Sequence, residues 1–196
     1  WFTFPKVVPV FPEKEMDMLI QEAKLTGFLG NKHASGEDII KEYGEAHLDS
    51  GCPIVYTSAD SVVQIAAHEQ VFGLDRLYET CKIAAEIFNN LRVQRIIARP
   101  FLGCNKDDFF RTKNRKDFIL PPPIQTLCDK VIKSGKKCFG IGKIADIFGH
   151  RGISKSISGM TDDKLFDEML HVVAKANTGD LIFANFVEFD TLYGHR

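Results

Sequence analysis

Leu181-Ile-Phe-Ala-Asn-Phe-Val-Glu-Phe-Asp-Thr-Leu-Tyr-Gly-His-Arg196 joins an apolar run rich in β-formers to an acid, Asp190, and then to a histidine, His195. A carboxylate oxygen and an imidazole nitrogen are donors suited to a divalent cation. The run predicts a buried strand that ends at the acid, and open α/β sheets bind ligands beyond the carboxyl ends of their strands. Asp190 and His195 are therefore candidate metal ligands. Two ligands do not make a catalytic metal site, so the spacing predicts that part of the site lies outside this chain.

A second chemistry-bearing group is basic. Arg95, Arg99, Arg111, Lys113, Arg115 and Lys116 crowd the central third of the sequence. In a strand, Arg95 and Arg99 share a face. The cluster reads either as a solvated face or as a phosphate clamp, since guanidinium forks match phosphate oxygens. Gly140-Ile-Gly142-Lys143 fails as a phosphate loop, because Ile144 stands where Ser or Thr is needed. Lys143 still follows a strand, so it reads as an anion contact or as a solvated lysine. Ser58 and Asp60 follow another strand, where they could contact sugar hydroxyls or close a turn. His68 reads as a packed or helix-surface side chain, and His33, His47, His150 and His171 have no partner at ligand spacing.

The elements that must position these groups are legible in outline. Apolar spacing predicts helices over 13–25, 37–48, 74–89, 124–134 and about 162–174. Strands are expected at 53–57, 93–99, 137–141 and the final apolar run. Gly30 to Gly36 reads as a loop, Pro100 as the end of its strand, 105–117 as a loop or irregular hairpin, and 149–161 as a polar Gly/Ser stretch. Pro121-Pro-Pro123 is the strongest breaker and the expected domain boundary. Strand, helix, strand in that order implies an α/β fold with a parallel sheet.

Composition narrows the partners. A formal net charge of -1 argues against binding nucleic acid through a broad basic field. No apolar stretch approaches the ~20 residues needed to span a bilayer. The five cysteines form no Cys-x-x-Cys pair and read as reduced thiols of a cytosolic protein. The start on Trp1-Phe-Thr-Phe-Pro5 reads as the interior of a longer protein.

Five blocks together resemble the bacterial-type phosphopentomutases: Ile54-Val-Tyr-Thr-Ser-Ala-Asp-Ser-Val-Val-Gln-Ile-Ala-Ala-His-Glu69, Arg95-Ile-Ile-Ala-Arg-Pro-Phe-Leu-Gly103, Arg111-Thr-Lys-Asn-Arg115, Ile141-Gly-Lys-Ile-Ala-Asp-Ile-Phe148 and Asn185-Phe-Val-Glu-Phe-Asp-Thr-Leu-Tyr-Gly-His-Arg196. They keep the family's order over the chain from about Phe11 onward. The resemblance implies an alkaline-phosphatase-like α/β core with a mainly parallel sheet and an inserted α/β cap. On that reading 1–119 is the cap and 120–196 is part of the metal-binding core. It further implies interconversion of ribose 1-phosphate and ribose 5-phosphate, and of their deoxyribose equivalents. Two Mn2+ ions, a phosphothreonine and a sugar bisphosphate activator would serve the reaction, in the cytoplasm and with no obligate protein partner.

Carried over residue by residue, the resemblance makes Asp190 and His195 ligands of one metal ion. Ser58, Asp60, Val62, Arg95, Ile97, Arg111 and Lys143 become the phosphopentose-binding surface, which favours the clamp over the solvated face. The family's nucleophilic threonine, its N-terminal metal-binding aspartate and its later Asp-His and His ligands have no match, so no catalytic residue is assigned in this chain. Glu188 stands where the family often has Asp, and 149–161 diverges. Rival readings are another metal-dependent phosphomutase or phosphatase of the superfamily, and a non-catalytic sugar-phosphate-binding module.

Overall fold

A computed structural model describes residues 2–58, 61–189, 192 and 194. The chain divides into two compact units, Trp1–Leu120 and Pro121–Arg196, with the break beside the triple proline. Both are α/β. No helix is long and apolar enough to cross a membrane among the described residues.

In the first unit the elements run α1 (Glu13–Glu22), β1 (Leu29–His33), α2 (Gly36–Ser50), β2 (Ile54–Thr57), β3 (Val62–His68), α3 (Leu74–Asn89), β4 (Arg95–Leu102), β5 (Phe110–Arg111) and β6 (Lys116–Ile119). The sheet order is β1-β2-β3-β4, with both β5 and β6 pairing on β4. β3 runs back antiparallel beside β2, whereas α3 carries the chain over the sheet so that β4 runs parallel to β3. The sheet is therefore mixed.

Period-3.6 spacing puts Leu77, Cys81, Ala84, Ala85 and Phe88 of α3 on one buried face. That face meets Val63, Ile65, Ala67, Ile96 and Ala98 of the sheet, and Met16 and Leu19 of α1 join the same core. Burying each larger apolar side chain contributes about 1.5–3 kcal/mol. The opposite sheet face is only partly covered. Ile39 and Ile40 of α2 pack on Ile54, Tyr56, Ala66 and Phe101. Ser35 starts α2 by accepting from Asp38 N, and Gly51 ends it in the left-handed conformation.

The second unit runs α4 (Leu127–Lys133), β7 (Cys138–Ile141), α5 (Ile144–Ile147), β8 (Lys155–Ile157), α6 (Asp162–Val173) and β9 (Leu181–Ala184). Its three strands are parallel in the order β8-β7-β9, so their carboxyl ends share one edge. Thr126 and Asp129 form a capping box at α4, and Arg151 holds Asp129 at 3.0 Å.

Four expectations need correction. Gly30 to Gly36 is not a loop: most of it is β1, a polar edge strand paired in parallel with β2 and kinked at Asn31. The Asn31 side chain accepts from Val10 N and Phe11 N, which ties the N-terminal segment to that strand. Pro100 does not end β4, because it pairs in register with Ala67 inside the strand. Its carbonyl accepts from Thr112 N on the β5 side, so its missing N–H faces that side too, in the gap between the β6 and β5 pairings. The polar 149–161 stretch contains β8. Finally, the last strand is neither long nor buried. It stops at Ala184 and lies at the sheet edge with Phe183 exposed, and residues 187–189 have left the strand.

Candidate functional site

The open half of the first unit's sheet face carries arginines of the basic cluster, whereas Lys116 lies over the Tyr78 ring on the α3 side. Alternation along β4 places Arg95, Ile97 and Arg99 on that face, and strand register sets Val62 beside Arg95 and Gln64 beside Ile97. Val62 and Ile97 are buried, so they form an apolar floor. Asp117 of β6 stands opposite Ile97 and serves two arginines: Arg115 grips it bidentately at 2.7 Å, and Arg95 Nη1 lies 3.5 Å away. Arg111 of β5 stands opposite Phe101 and pairs with Glu37 at 2.6 Å. Both expected same-face arginines and Arg111 thus come to one surface.

Arg99 sits among them half-buried. Burial pulls its pKa down, and the nearby Arg115 and Arg111 charges add to that effect. Beneath the cluster lies Tyr56, a fully buried side chain whose hydroxyl has no hydrogen-bond partner among the described residues. Burial raises the Tyr56 pKa, while Arg99, Arg111 and Arg115 oppose the rise. An unsatisfied buried hydroxyl costs about 1–3 kcal/mol. Tyr56→Phe is therefore expected to raise stability by about 1 kcal/mol, read as the chemical-denaturation midpoint; a clear loss would show that the hydroxyl has a partner in solution.

Ser58 follows β2 and lies beside a hollow of about 530 Å3 that Lys6, Lys32, His33 and Thr57 also line. Its Oγ is 3.4 Å from Gln64 Nε2. Asp60 lies outside the described residues. Gln64 was not singled out by sequence reasoning, because its place depends on the β3–β4 register rather than on neighbours in the chain.

Lys143 belongs to the second unit, directly after β7 at the common carboxyl edge of the three parallel strands. A hollow of about 420 Å3 opens there, lined by Lys143, Ser158, Gly159, Thr161, Asp162 and Glu188 among others. Gly142 is required beside it: its φ is +75°, and an added Cβ would meet Asn185 O at 2.3 Å. Glu188 Oε2 accepts from Asp162 N, and Asp162 Oδ2 accepts from Glu188 N, so the segment after β9 is fastened to the start of α6. Asp190 and His195 lie outside the described residues. Among the described residues, no group of three or more His, Cys, Asp or Glu gathers to hold a metal ion.

His47 and His68 are buried and structural. His47 Nε2 accepts from His68 N at 2.9 Å and its Nδ1 donates to Cys52 O at 2.7 Å. His68 Nδ1 caps Gln70 N and Val71 N, which leaves Nε2 to donate to Gly103 O. Of the two readings of His68, packed or helix-surface, the structure has the packed one, at the end of a strand that sequence reasoning did not single out.

The chain thus combines an α/β unit whose open sheet face gathers arginines with a parallel α/β unit whose carboxyl edge presents a lysine. No protein-family model matches it. Over its whole length it is homologous to curated proteins named phosphopentomutase. It is 50% identical over 196 residues to those of Chelativorans sp. and Chromohalobacter salexigens, and 47% identical to that of Shewanella loihica. All 196 residues are covered, against 48%, 47% and 48% of those proteins respectively. The chain therefore spans about half the length of the curated relatives it matches.

Proposed function

We propose that the protein carrying this chain is a phosphopentomutase that interconverts ribose 1-phosphate and ribose 5-phosphate, and that this chain supplies its sugar-phosphate-binding surface. The observation that carries the reading is whole-length identity of about 50% to proteins of that name. The arginine-rich face agrees with it chemically, since a phosphate dianion suits guanidinium forks.

On this reading Arg95 and Arg111 hold the phosphate oxygens, Val62 and Ile97 form the floor under the sugar, and Ser58 and Asp60 meet its hydroxyls. Lys143, in the second unit, is read as a further cationic contact of the substrate, at the carboxyl edge of β7. Such fixed charges stabilise the phosphoryl group as its charge redistributes, and orientation lets either sugar hydroxyl meet it. The nucleophilic threonine lies outside this chain. Asp190 and His195, a carboxylate oxygen and an imidazole nitrogen, form a donor set suited to Mn2+. Two such ions, when bound, supply charge that draws electron density from phosphoryl oxygens. A sugar bisphosphate would prime the phosphoenzyme. The 1–119 stretch is read as cap and 120–196 as part of the metal-binding core. The five cysteines are free, which suits a reducing cytoplasm.

Lys143→Ala in the protein at its full natural length is expected to lower kcat/KM for ribose 5-phosphate about ten-fold or more, with the denaturation midpoint unchanged. Wild-type kinetics would remove Lys143 from the site. Substrate profiling tests the function itself: pentose phosphates should be isomerised and phosphoglycerates left untouched. The reverse selectivity would assign another mutase of the superfamily.

A further inference from the structure

Of the four arginines on or beside the open sheet face, Arg95 and Arg115 share Asp117, and Arg111 pairs with Glu37. Arg99 forms no ion pair among the described residues. Its side-chain hydrogen-bond partner is neutral: Nε donates to Gln64 Oε1 at 2.9 Å. An arginine has no acceptor, so this contact fixes which end of the Gln64 amide faces Arg99. The amide nitrogen must then face the other way, toward Ser58 Oγ at 3.4 Å. Gln64 is buried, which holds the amide in that orientation.

Two consequences follow from this one side chain. Among the described residues Arg99 is held by Nε alone and its two Nη groups meet no carboxylate, in a setting where burial and two neighbouring arginines disfavour its charge. Ser58 Oγ accepts a hydrogen bond from Gln64 Nε2, so its own hydrogen points away from the amide and is available to donate. A positive fork and a hydroxyl donor, coupled through one amide, match an oxyanion attached to a polyol.

We propose that Gln64 is a positioning residue of the sugar-phosphate surface, orienting Arg99 as a further phosphate contact and Ser58 as a donor to the ligand. This rests on the phosphopentomutase reading and deepens it. The side chain itself touches no reacting atom; it acts through its two partners.

Gln64→Glu separates positioning from packing. The substitution keeps the shape and retains an acceptor for Arg99. It also sets a carboxylate against Arg99 and removes the donor to Ser58, whose hydrogen is then drawn inward. In the protein at full natural length, KM for ribose 5-phosphate should rise about ten-fold or more while kcat is largely held. The denaturation midpoint should stay at or above the wild-type value. Arg99→Met, which keeps the aliphatic stem, should raise KM similarly and gives the same reading should Gln64→Glu fail to fold. Wild-type KM in either folded variant overturns the proposal while leaving the phosphopentomutase reading intact. Failure of the wild-type protein to bind or convert ribose 5-phosphate overturns both.

Discussion

Arg95→Ala is expected to raise KM for ribose 5-phosphate about ten- to a hundred-fold in the protein at full natural length, because it would remove the proposed charge-assisted contact to phosphate. The fold should tolerate the change. Arg95 is partly exposed and its 3.5 Å pair with Asp117 is long, so that pair adds little to stability. Asp117 also retains the bidentate grip of Arg115. Steady-state kinetics beside a denaturation midpoint checks both halves. An unchanged KM would mean that the arginines form a solvated face.

His47→Ala should be the most damaging change to the fold, costing about 3–5 kcal/mol. It opens a cavity and leaves His68 N and Cys52 O without their partner in a buried site. The same histidine makes stability depend on pH. Burial depresses its pKa below the ordinary 6.5, with His68 adding to the shift and the Cys52 carbonyl opposing it. The folded state needs neutral His47, since Nε2 accepts a hydrogen bond. Its contribution is therefore fully present above pH of about 6.5 and is lost as pH falls below that value toward the depressed folded pKa. Midpoints measured from pH 7.5 to 5 should decline in the wild type and decline less in a His47→Gln variant. Parallel declines would assign the titration to other groups.

How much of this was legible in the sequence varied with the range of the forces involved. Helix α3 was readable to its ends because its five apolar positions repeat at helical spacing, a local property. Strand β1 was not, because Gly30-Asn-Lys-His33 has no β-forming character and is held by pairing with β2, more than twenty residues away in sequence. Strand β3 is buried on both faces, so it lacks the alternation that marks a half-exposed strand. Pro100 misled because its effect depends on which neighbour its missing N–H faces, and that is set by β5 and β6. In the site, the period of two along β4 announced Arg95 and Arg99. Gln64 gave no local signal, since its role arises from β3 lying in register beside β4.

The proposed reaction moves phosphate within a pentose. The most direct test follows ribose 1-phosphate by 31P NMR with the protein at full natural length, Mn2+ and a sugar bisphosphate primer. Conversion to ribose 5-phosphate without accumulation of inorganic phosphate is expected. Release of inorganic phosphate alone would indicate a phosphatase, and no reaction with well-folded protein would contradict the assignment.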